Sequence, residues 1–328
     1  MSARQILIAG SGAIGLSVGA MLRLAGHPVT LLGRANHLHK IAQDGMHLSG
    51  LFGEHITDGF HFASDPAQLR DPFDLIFLTV KSYDTSAMAD RIAHLLAPGG
   101  IVVSMQNGIS NLEPIANRFG ASRVLGCRVM IGAQIISPGA VEVTVFGEPL
   151  AIGPAPSMDR EHTATLFERA REVSAMLTSA GIATDACEDV TPFLWMKLFY
   201  NAALNPLGAL LRLHYGALAA DPDLRAIMND VIEEAFAVAM RLQVPLPFKT
   251  ADEYRATFYA KLVPATFNHR PTMLYDLERR GRTDIDEMNG KIVELAERHG
   301  LSADTNRVLT GLIRARERMW RGNREEEP

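Results

Sequence analysis

Residues 5–15 read Gln5-Ile6-Leu7-Ile8-Ala9-Gly10-Ser11-Gly12-Ala13-Ile14-Gly15, or QILIAGSGAIG, and this stretch decides the fold. A short apolar run of strand character leads straight into GxGxxG. The glycine pattern alone is weak, because glycine is common. Directly behind a strand, and opening a helix predicted over 13–25 with Gly26 as its stop, it acquires a meaning. Gly10 permits the tight turn, Gly12 lets the backbone approach a pyrophosphate, and Gly15 lets the helix pack closely on the sheet. The N–H groups at the helix start suit phosphate oxygens. Gly10, Ser11, Gly12, Ala13, Ile14 and Gly15 together form a candidate dinucleotide-binding turn. The alternative is a tight strand-to-helix turn that holds no ligand.

Outward from this turn, the first half of the chain keeps alternating strand and helix. Strands are predicted at 28–33, 74–80 and 101–105, with a helix at 85–96 stopped by Pro98-Gly99-Gly100. DLIFLTV at 74–80 is a continuous apolar run of the kind found in strands covered on both faces. This βαβ rhythm indicates a mostly parallel sheet flanked by helices. Between Met46 and Phe62, Gly50, Gly53 and Gly59 break the text into short, hairpin-like pieces. A second β-rich segment spans 124–152 with a turn at Pro138-Gly139, and a helix follows at 159–179.

From about Asp189 the strands vanish. Helices with 3.6-residue apolar spacing are predicted at 192–213, 221–242, 250–262, 272–280, 284–299 and 302–320. Pro222 behind Asp221 suits a capped first turn. The fold expected is α/β: a Rossmann-type domain over 1–188 and an all-helical domain over 189–328, with a charged, frayed tail from Arg321 to Pro328.

The 328 residues suffice for two domains, and 47% hydrophobic with 21% charged residues fits a globular chain with a sizeable core. A formal net charge of −5 argues against nucleic acid or an anionic membrane as the main partner. No signal peptide is recognised and no apolar run is long enough to span a bilayer, so a soluble cytoplasmic protein is expected. Cys127 and Cys187 lack CxxC or zinc-ligand spacing and read as thiols of a reducing compartment. The histidines, His37 and His39 among them, define no metal site, and neither HExxH nor GxSxG occurs.

The second strand ends at Gly33-Arg34, without the Asp or Glu that would hold a ribose 2′-hydroxyl. The planar fork of Arg34 suits a 2′-phosphate, with Lys40 nearby, which favours NADP(H) over NAD(H). A solvated loop cation is the alternative. Lys81 follows DLIFLTV, and Asn107-Gly108 follows IVVSMQ. Both therefore lie at C-terminal strand ends, the edge where ligands of open α/β sheets gather.

In the helical half, WMKLFYNAALNPLGAL (195–210) is apolar except for Lys197, Asn201 and Asn205. The i, i+4, i+8 spacing puts all three on one stripe of a helix. Left buried without partners, they would be costly, so the stripe meets either solvent or a polar ligand. Pro206 is expected to bend or end the helix at Asn205. A second polar group, Arg282 to Gly290, offers Thr283 or Asp284 as a cap for the following helix.

Taken in order, these motifs resemble the ketopantoate reductase (2-dehydropantoate 2-reductase) family. The matching residues are GSGAIG, Arg34, LTVKSYD around Lys81, SMQNGIS around Asn107 and the Pro138-Gly139 turn, then WMKLFYNAALNPLGAL, Thr283-Asp284-Ile285-Asp286 and Asn289-Gly290. The resemblance covers nearly the whole chain, and the lysine–asparagine motif is its most specific part. It implies a C-terminal domain like that of 6-phosphogluconate dehydrogenase and an active site in the cleft between the domains. It implies NADPH-dependent reduction of a 2-oxo acid to a D-2-hydroxy acid, as in pantothenate biosynthesis. By match, Lys197 is the general acid that protonates the ketone oxygen, and Asp284 holds the position of the family's carboxylate. Asn201, Asn205 and Thr272 would contact substrate, Asn107 substrate and nicotinamide, and Lys81 the cofactor. Ala133, aligned by allowing one extra residue after Gly126, would line the cofactor site.

Two departures from the family pattern concern the substrate end. The family's Glu is Asp284 here, shorter by one methylene, roughly 1.5 Å of reach. Its Ser-Ser-Met segment is replaced by Pro271-Thr272-Met273, which keeps one hydroxyl and stiffens the approach. Gly208 and Tyr215 fall on the far side of the implied pocket with no assigned role. A sibling 2-oxo acid reductase with another substrate is the runner-up, and a catalytically silent NADP-binding sensor is the third reading. The intact Lys197, Asn201 and Asn205 weigh against the sensor. A homodimer is compatible with the sequence but not specified by it.

Overall fold

The computed structural model describes residues 4–279 and 281–322. The described strands are β1 Ile6–Ala9, β2 Val29–Leu32, β3 Met46–Gly50, β4 His55–Thr57, β5 His61–Ala63, β6 Phe73–Leu78, β7 Leu96–Ser104, β8 Val124–Arg128, β9 Ile131–Ser137, β10 Ala140–Phe146, β11 Leu150–Gly153 and β12 Thr184–Ala186. Eight form one sheet in the order β12-β11-β8-β7-β6-β1-β2-β5. From β5 through β8 all neighbours are parallel, whereas β11 runs antiparallel to β8 and carries β12 parallel to itself. Strands covered on both faces need apolar side chains on both. β1 and β2 are accordingly buried at every position, and β6 at every position but Asp74. Each fully buried Leu, Ile or Phe here contributes about 1.5–3 kcal/mol relative to exposure.

The chain leaves β1 for β2 on one side and returns to β6 on the other. The carboxyl ends of β1 and β6 therefore flank the switch point where an open α/β sheet leaves a crevice. A second sheet, β4-β3-β10-β9, consists of the two hairpins expected from the glycine-broken segments. What joins them is parallel pairing of β3 with β10, a long-range contact that no local pattern announces.

Several element bounds differ from the sequence expectation. The helix expected over 85–96 ends at Ile92 in a short 3₁₀ turn, and β7 then runs through Pro98-Gly99-Gly100. Phe73 pairs with Leu96 and Leu75 with Ile101, so the Pro-Gly-Gly segment bulges out of register instead of ending an element. Helices Ala35–Asp44, Leu112–Phe119 and Tyr215–Ala220 add to those predicted. The helix Asp304–Gly322 extends through Arg321, which was expected to belong to the tail; 323–328 lie outside the described residues. Among the described residues no helix is long and apolar enough to cross a membrane.

By its internal contacts the chain forms two compact units. One takes Ser110–Val190 and the chain before Asn107; the other takes Asn107–Ile109 and the chain from Thr191 onward. Each has its own apolar core. In the helical unit, Asp221 caps its helix by accepting from Asp223 N and Leu224 N, both at 3.0 Å, and Thr250 caps the next.

The longest described helix, Thr191–Leu211, contains Pro206 and does not end there. Proline has no N–H, so the carbonyl of Ala202, four residues back, loses its helical donor. Asn289 supplies the substitute: its Nδ2 donates to Ala202 O at 3.0 Å and to Asn306 Oδ1 at 2.9 Å. Asn306 Nδ2 in turn donates to Glu234 Oε2 at 2.7 Å. One buried polar chain thus ties together the helices Thr191–Leu211, Asn289–Arg298, Asp304–Gly322 and Pro222–Arg241. Replacing Asn289 by Ala should reduce the unfolding free energy by about 2–3 kcal/mol, since it strands two buried acceptors. Pro206→Ala in that background should recover part of the loss by restoring the N–H. Urea denaturation of both variants checks this; a change below about 0.5 kcal/mol in the single variant would remove Asn289 as the helix's support.

Candidate active site

The glycine turn is built by contacts that name its residues one by one. Gly10 has φ +125°, and a Cβ there would stand 2.7 Å from the Val80 nitrogen. At Gly15 a Cβ would stand 2.0 Å from the Gly10 carbonyl oxygen. Thr79 Oγ1 donates to that same oxygen at 2.7 Å, pinning the turn to the end of β6. At Gly33, behind β2, a Cβ would fall 1.7 Å from the buried Ser11 Oγ.

Gly12 is different. Nothing lies within 4 Å of its Cβ position, and its φ −81°, ψ −179° is extended backbone that any residue adopts. The fold itself does not demand glycine there, and the open side leaves room for a ligand. Gly12 is also the N-cap of the helix Ala13–Leu24, and no side chain caps that end. The N–H groups of Ala13, Ile14 and Gly15 have no acceptor one turn back within the helix, and the positive end of the helix dipole adds to them. Open space, donors and dipole together fit a pyrophosphate.

Around this turn, Arg34 is exposed and begins the helix Ala35–Asp44, and no Asp or Glu adjoins it in sequence at the end of β2. Lys40, its expected helper, is ion-paired with Asp44 one turn on. Lys81 is half-buried and leads into the 3₁₀ turn Ser82–Asp84. Gln106 Nε2 donates to Val80 O at 3.0 Å and to Thr85 Oγ1 at 2.7 Å, and Thr85 Oγ1 lies 2.8 Å from Asn111 Oδ1. This network fastens the loop after β6, so Lys81 projects from a fixed backbone, whereas Asn107, next in sequence to Gln106, belongs to the other compact unit. Asn107 is half-buried, and the positive φ of Gly108 turns the chain beyond it. Ala133 sits on β9 opposite Val143, half-buried against the first unit's core.

In the helical unit the continuous helix keeps Lys197, Asn201 and Asn205 on one stripe. Lys197 is half-buried, whereas Asn201 and Asn205 are 7% and 5% exposed. Asn205 is held at both ends of its amide: Tyr215 Oη donates to Oδ1 at 2.6 Å, and Nδ2 points at Met288 Sδ at 3.7 Å. Asp284 is buried but does not cap a helix. The expected 284–299 helix is instead a 3₁₀ turn, Ile285–Glu287, followed by Asn289–Arg298. Thr283 Oγ1, not Asp284, accepts from Ile285 N at 3.3 Å, and it donates to Glu317 Oε1 at 2.6 Å. Thr272 is exposed at the first position of the helix Thr272–Glu278. Pro271, just before it, packs on the long helix at Gly208, where a Cβ would stand 2.9 Å from Pro271 Cγ. Gly208 thereby gains a role that the sequence left unassigned.

Gly33, Thr79 and Asn289 were not legible as partners of the site. Their only local signals are a glycine ahead of Arg34, one hydroxyl in an apolar strand, and an Asn at a helix start. Among the described residues no group of three or more His, Cys, Asp or Glu side chains could hold a metal ion. Burial, helped by Asp189, pushes the Cys187 thiol up to about 12, which removes it as a nucleophile.

Comparison with known proteins gives a consistent picture. The family model described as "Ketopantoate reductase PanE/ApbA" matches residues 6–157, and "Ketopantoate reductase PanE/ApbA C terminal" matches 189–317. A 2-dehydropantoate 2-reductase of Aquifex aeolicus is 36% identical over 314 residues, covering 95% of this chain and 97% of the relative. The crystal structure of a PanE/ApbA family ketopantoate reductase from Ralstonia eutropha matches with a TM-score of 0.83 at 30% identity, covering 97% of this chain and 99% of that one. That of a 2-dehydropantoate 2-reductase from Geobacter metallireducens gives 0.85 at 26% identity, covering 95% and 99%.

Two alanine substitutions separate fold from ligand in the glycine turn. Gly12→Ala should leave thermal stability within about 0.5 kcal/mol of the unmodified protein and weaken nicotinamide dinucleotide binding at least about tenfold. Gly33→Ala should lower the melting temperature by several degrees, because Ser11 must move. Melting curves and fluorescence titration with the dinucleotide read both. Unchanged dinucleotide affinity in Gly12→Ala would contradict the open-cradle reading.

Proposed function

The chain belongs to the ketopantoate reductase family, and we propose that it reduces 2-dehydropantoate to D-pantoate with NADPH. The observation that carries this is the stripe of one ammonium and two amides on a helix otherwise given to the core. The reacting end of a 2-oxo acid offers only acceptors, a keto oxygen and a carboxylate; Lys197, Asn201 and Asn205 offer donors. The nucleotide half is assigned to 1–188 and the substrate half to 189–328.

When bound, NADPH supplies the hydride that adds to the keto carbon. Lys197 donates a proton from Nζ to the keto oxygen as the C=O π electrons move onto it, and its charge stabilises the developing alkoxide. Lys197 regains its proton from water after the 2-hydroxy acid leaves. Asn201 and Asn205 fix the keto acid through amide N–H groups, with Asn107 and the Thr272 hydroxyl as further contacts. Asp284 is the catalytic carboxylate, beside the turn that carries Met288 onto Asn205. Gly10 to Gly15 hold the pyrophosphate, Arg34 the 2′-phosphate, and Lys81 and Ala133 line the cofactor site. Arg34 is the chief contact of the 2′-phosphate, and Lys40, whose exposed ion pair with Asp44 is weak, adds charge beside it.

One alternative has an observation behind it. The shortened carboxylate at Asp284, with Pro271 packed against Gly208 just before Thr272, also suits a sibling reductase for a different 2-oxo acid.

Steady-state NADPH oxidation with 2-dehydropantoate and a panel of small and bulky 2-oxo acids decides the substrate. Fast turnover of another acid, with none of 2-dehydropantoate, transfers the assignment to the sibling; no turnover at all leaves a cofactor-binding protein without this chemistry. Lys197→Ala should lower kcat by about 10²–10⁴ while retaining NADPH binding. Arg34→Ala should weaken NADPH at least about tenfold and leave NADH unaffected. Equal kcat/KM for the two reductants in the unmodified protein would sink the NADPH assignment.

A further inference from the structure

We propose that Tyr215 is a positioning residue that fixes the Asn205 amide in one sense, with its NH2 group presented to substrate. The proposal rests on the reading of Asn205 as a substrate contact and concerns how that contact is held. Tyr215 is 2% exposed, and its hydroxyl spends its hydrogen on Asn205 Oδ1 at 2.6 Å. That bond takes one of the two lone pairs of the amide oxygen and turns the carbonyl toward the Tyr215 hydroxyl. Of the two N–H bonds, one can reach Met288 Sδ at 3.7 Å, a weak acceptor, and the other remains.

Met288 also decides the sense of the amide. Turned over, the Asn205 carbonyl oxygen would face a thioether sulfur that has no hydrogen to give. Burial, with Tyr200 adding, holds the Tyr215 hydroxyl well above the usual tyrosine range, so it stays a donor throughout the working pH range.

Tyr215 is itself placed by a rigid surround. Its backbone N–H donates to His269 O at 3.0 Å, and Gly216 N–H donates to Phe267 O at 2.8 Å. Its ring packs edge-on against Tyr200 at 5.7 Å and His269 at 5.1 Å between centroids. Gly216 is required by the fit, since a Cβ there would lie 2.3 Å from the Phe267 ring. His269 is kept below the usual histidine range by burial, which favours a neutral ring against Tyr215. The segment Phe267–His269 thus sets Tyr215, and Tyr215 sets Asn205. A fixed donor suits the acceptor atoms of a keto acid; an amide free to turn would meet them half the time with its own oxygen.

The test is kinetic. Tyr215→Phe removes one oxygen and keeps the ring contacts. It should raise KM for the 2-oxo acid about tenfold, with kcat changed less than about threefold and NADPH affinity unchanged. Because Tyr215 acts through Asn205, the Tyr215→Phe/Asn205→Ala double variant should match Asn205→Ala alone. A purely structural role would instead make the two effects multiply. Asn205→Asp keeps an acceptor for Tyr215 but offers no N–H and adds a buried negative charge, so it should raise KM at least about a hundredfold, with some loss of melting temperature from the buried charge. Normal turnover with unchanged KM in Tyr215→Phe, multiplicative effects in the double variant, or unaltered KM in Asn205→Asp each overturns the proposal alone. Failure of the unmodified protein to turn over any 2-oxo acid removes the functional reading and this proposal with it.

Discussion

The carbonyl of Ala202 is the point on which the helical half depends. Pro206 takes away its helical donor, and the Asn289 amide, from a helix far along the chain, takes the vacant place. Without that bond a buried acceptor would stand unpaired in the middle of the helix that carries Lys197, Asn201 and Asn205. With it the helix continues for another turn, which brings Gly208 against Pro271. The same asparagine hands its second hydrogen to Asn306, so that one polar chain sets four helices in register inside an apolar core. Each donor hydrogen of the Asn289 amide is thus used, while its own Oδ1 stays buried without a hydrogen-bond partner among the described residues.

The glycine turn obeys a different constraint, close approach. Gly10, Gly15 and Gly33 are glycine because protein atoms occupy the space a Cβ would need, whereas Gly12 has no such neighbour. The motif therefore divides into residues that shape the turn and a position left open beside the helix N-terminus. Ser11 and Thr79 complete it: one side chain lies under Gly33, and the other holds the Gly10 carbonyl.

Much of this was legible in advance, because strands covered on both faces and amphipathic helices leave regular patterns. DLIFLTV became a buried strand, GSGAIG a strand-to-helix turn, and the i, i+4, i+8 residues share one stripe. The misreadings came from proline and glycine judged locally. Pro206 suggested a bend or an end in the 192–213 helix, which instead continues, bridged by Asn289; Pro98-Gly99-Gly100 looked like a stop and is a bulge within β7. In both cases a partner distant in sequence decided the outcome, and local propensity carries no record of that partner.

By itself the sequence determined the α/β and all-helical halves, the glycine turn, the cationic end of the second strand and the lysine–asparagine stripe. Those features follow from periodicity and spacing along one element, where neighbours in space are neighbours in sequence. Only the tertiary structure decided that Gly12 faces open space, that Gly33 makes way for Ser11, and that Asn205 is held by Tyr215 and Met288. These depend on which atoms from remote segments meet, and a hydrogen bond or a steric limit exists only once both partners are in place.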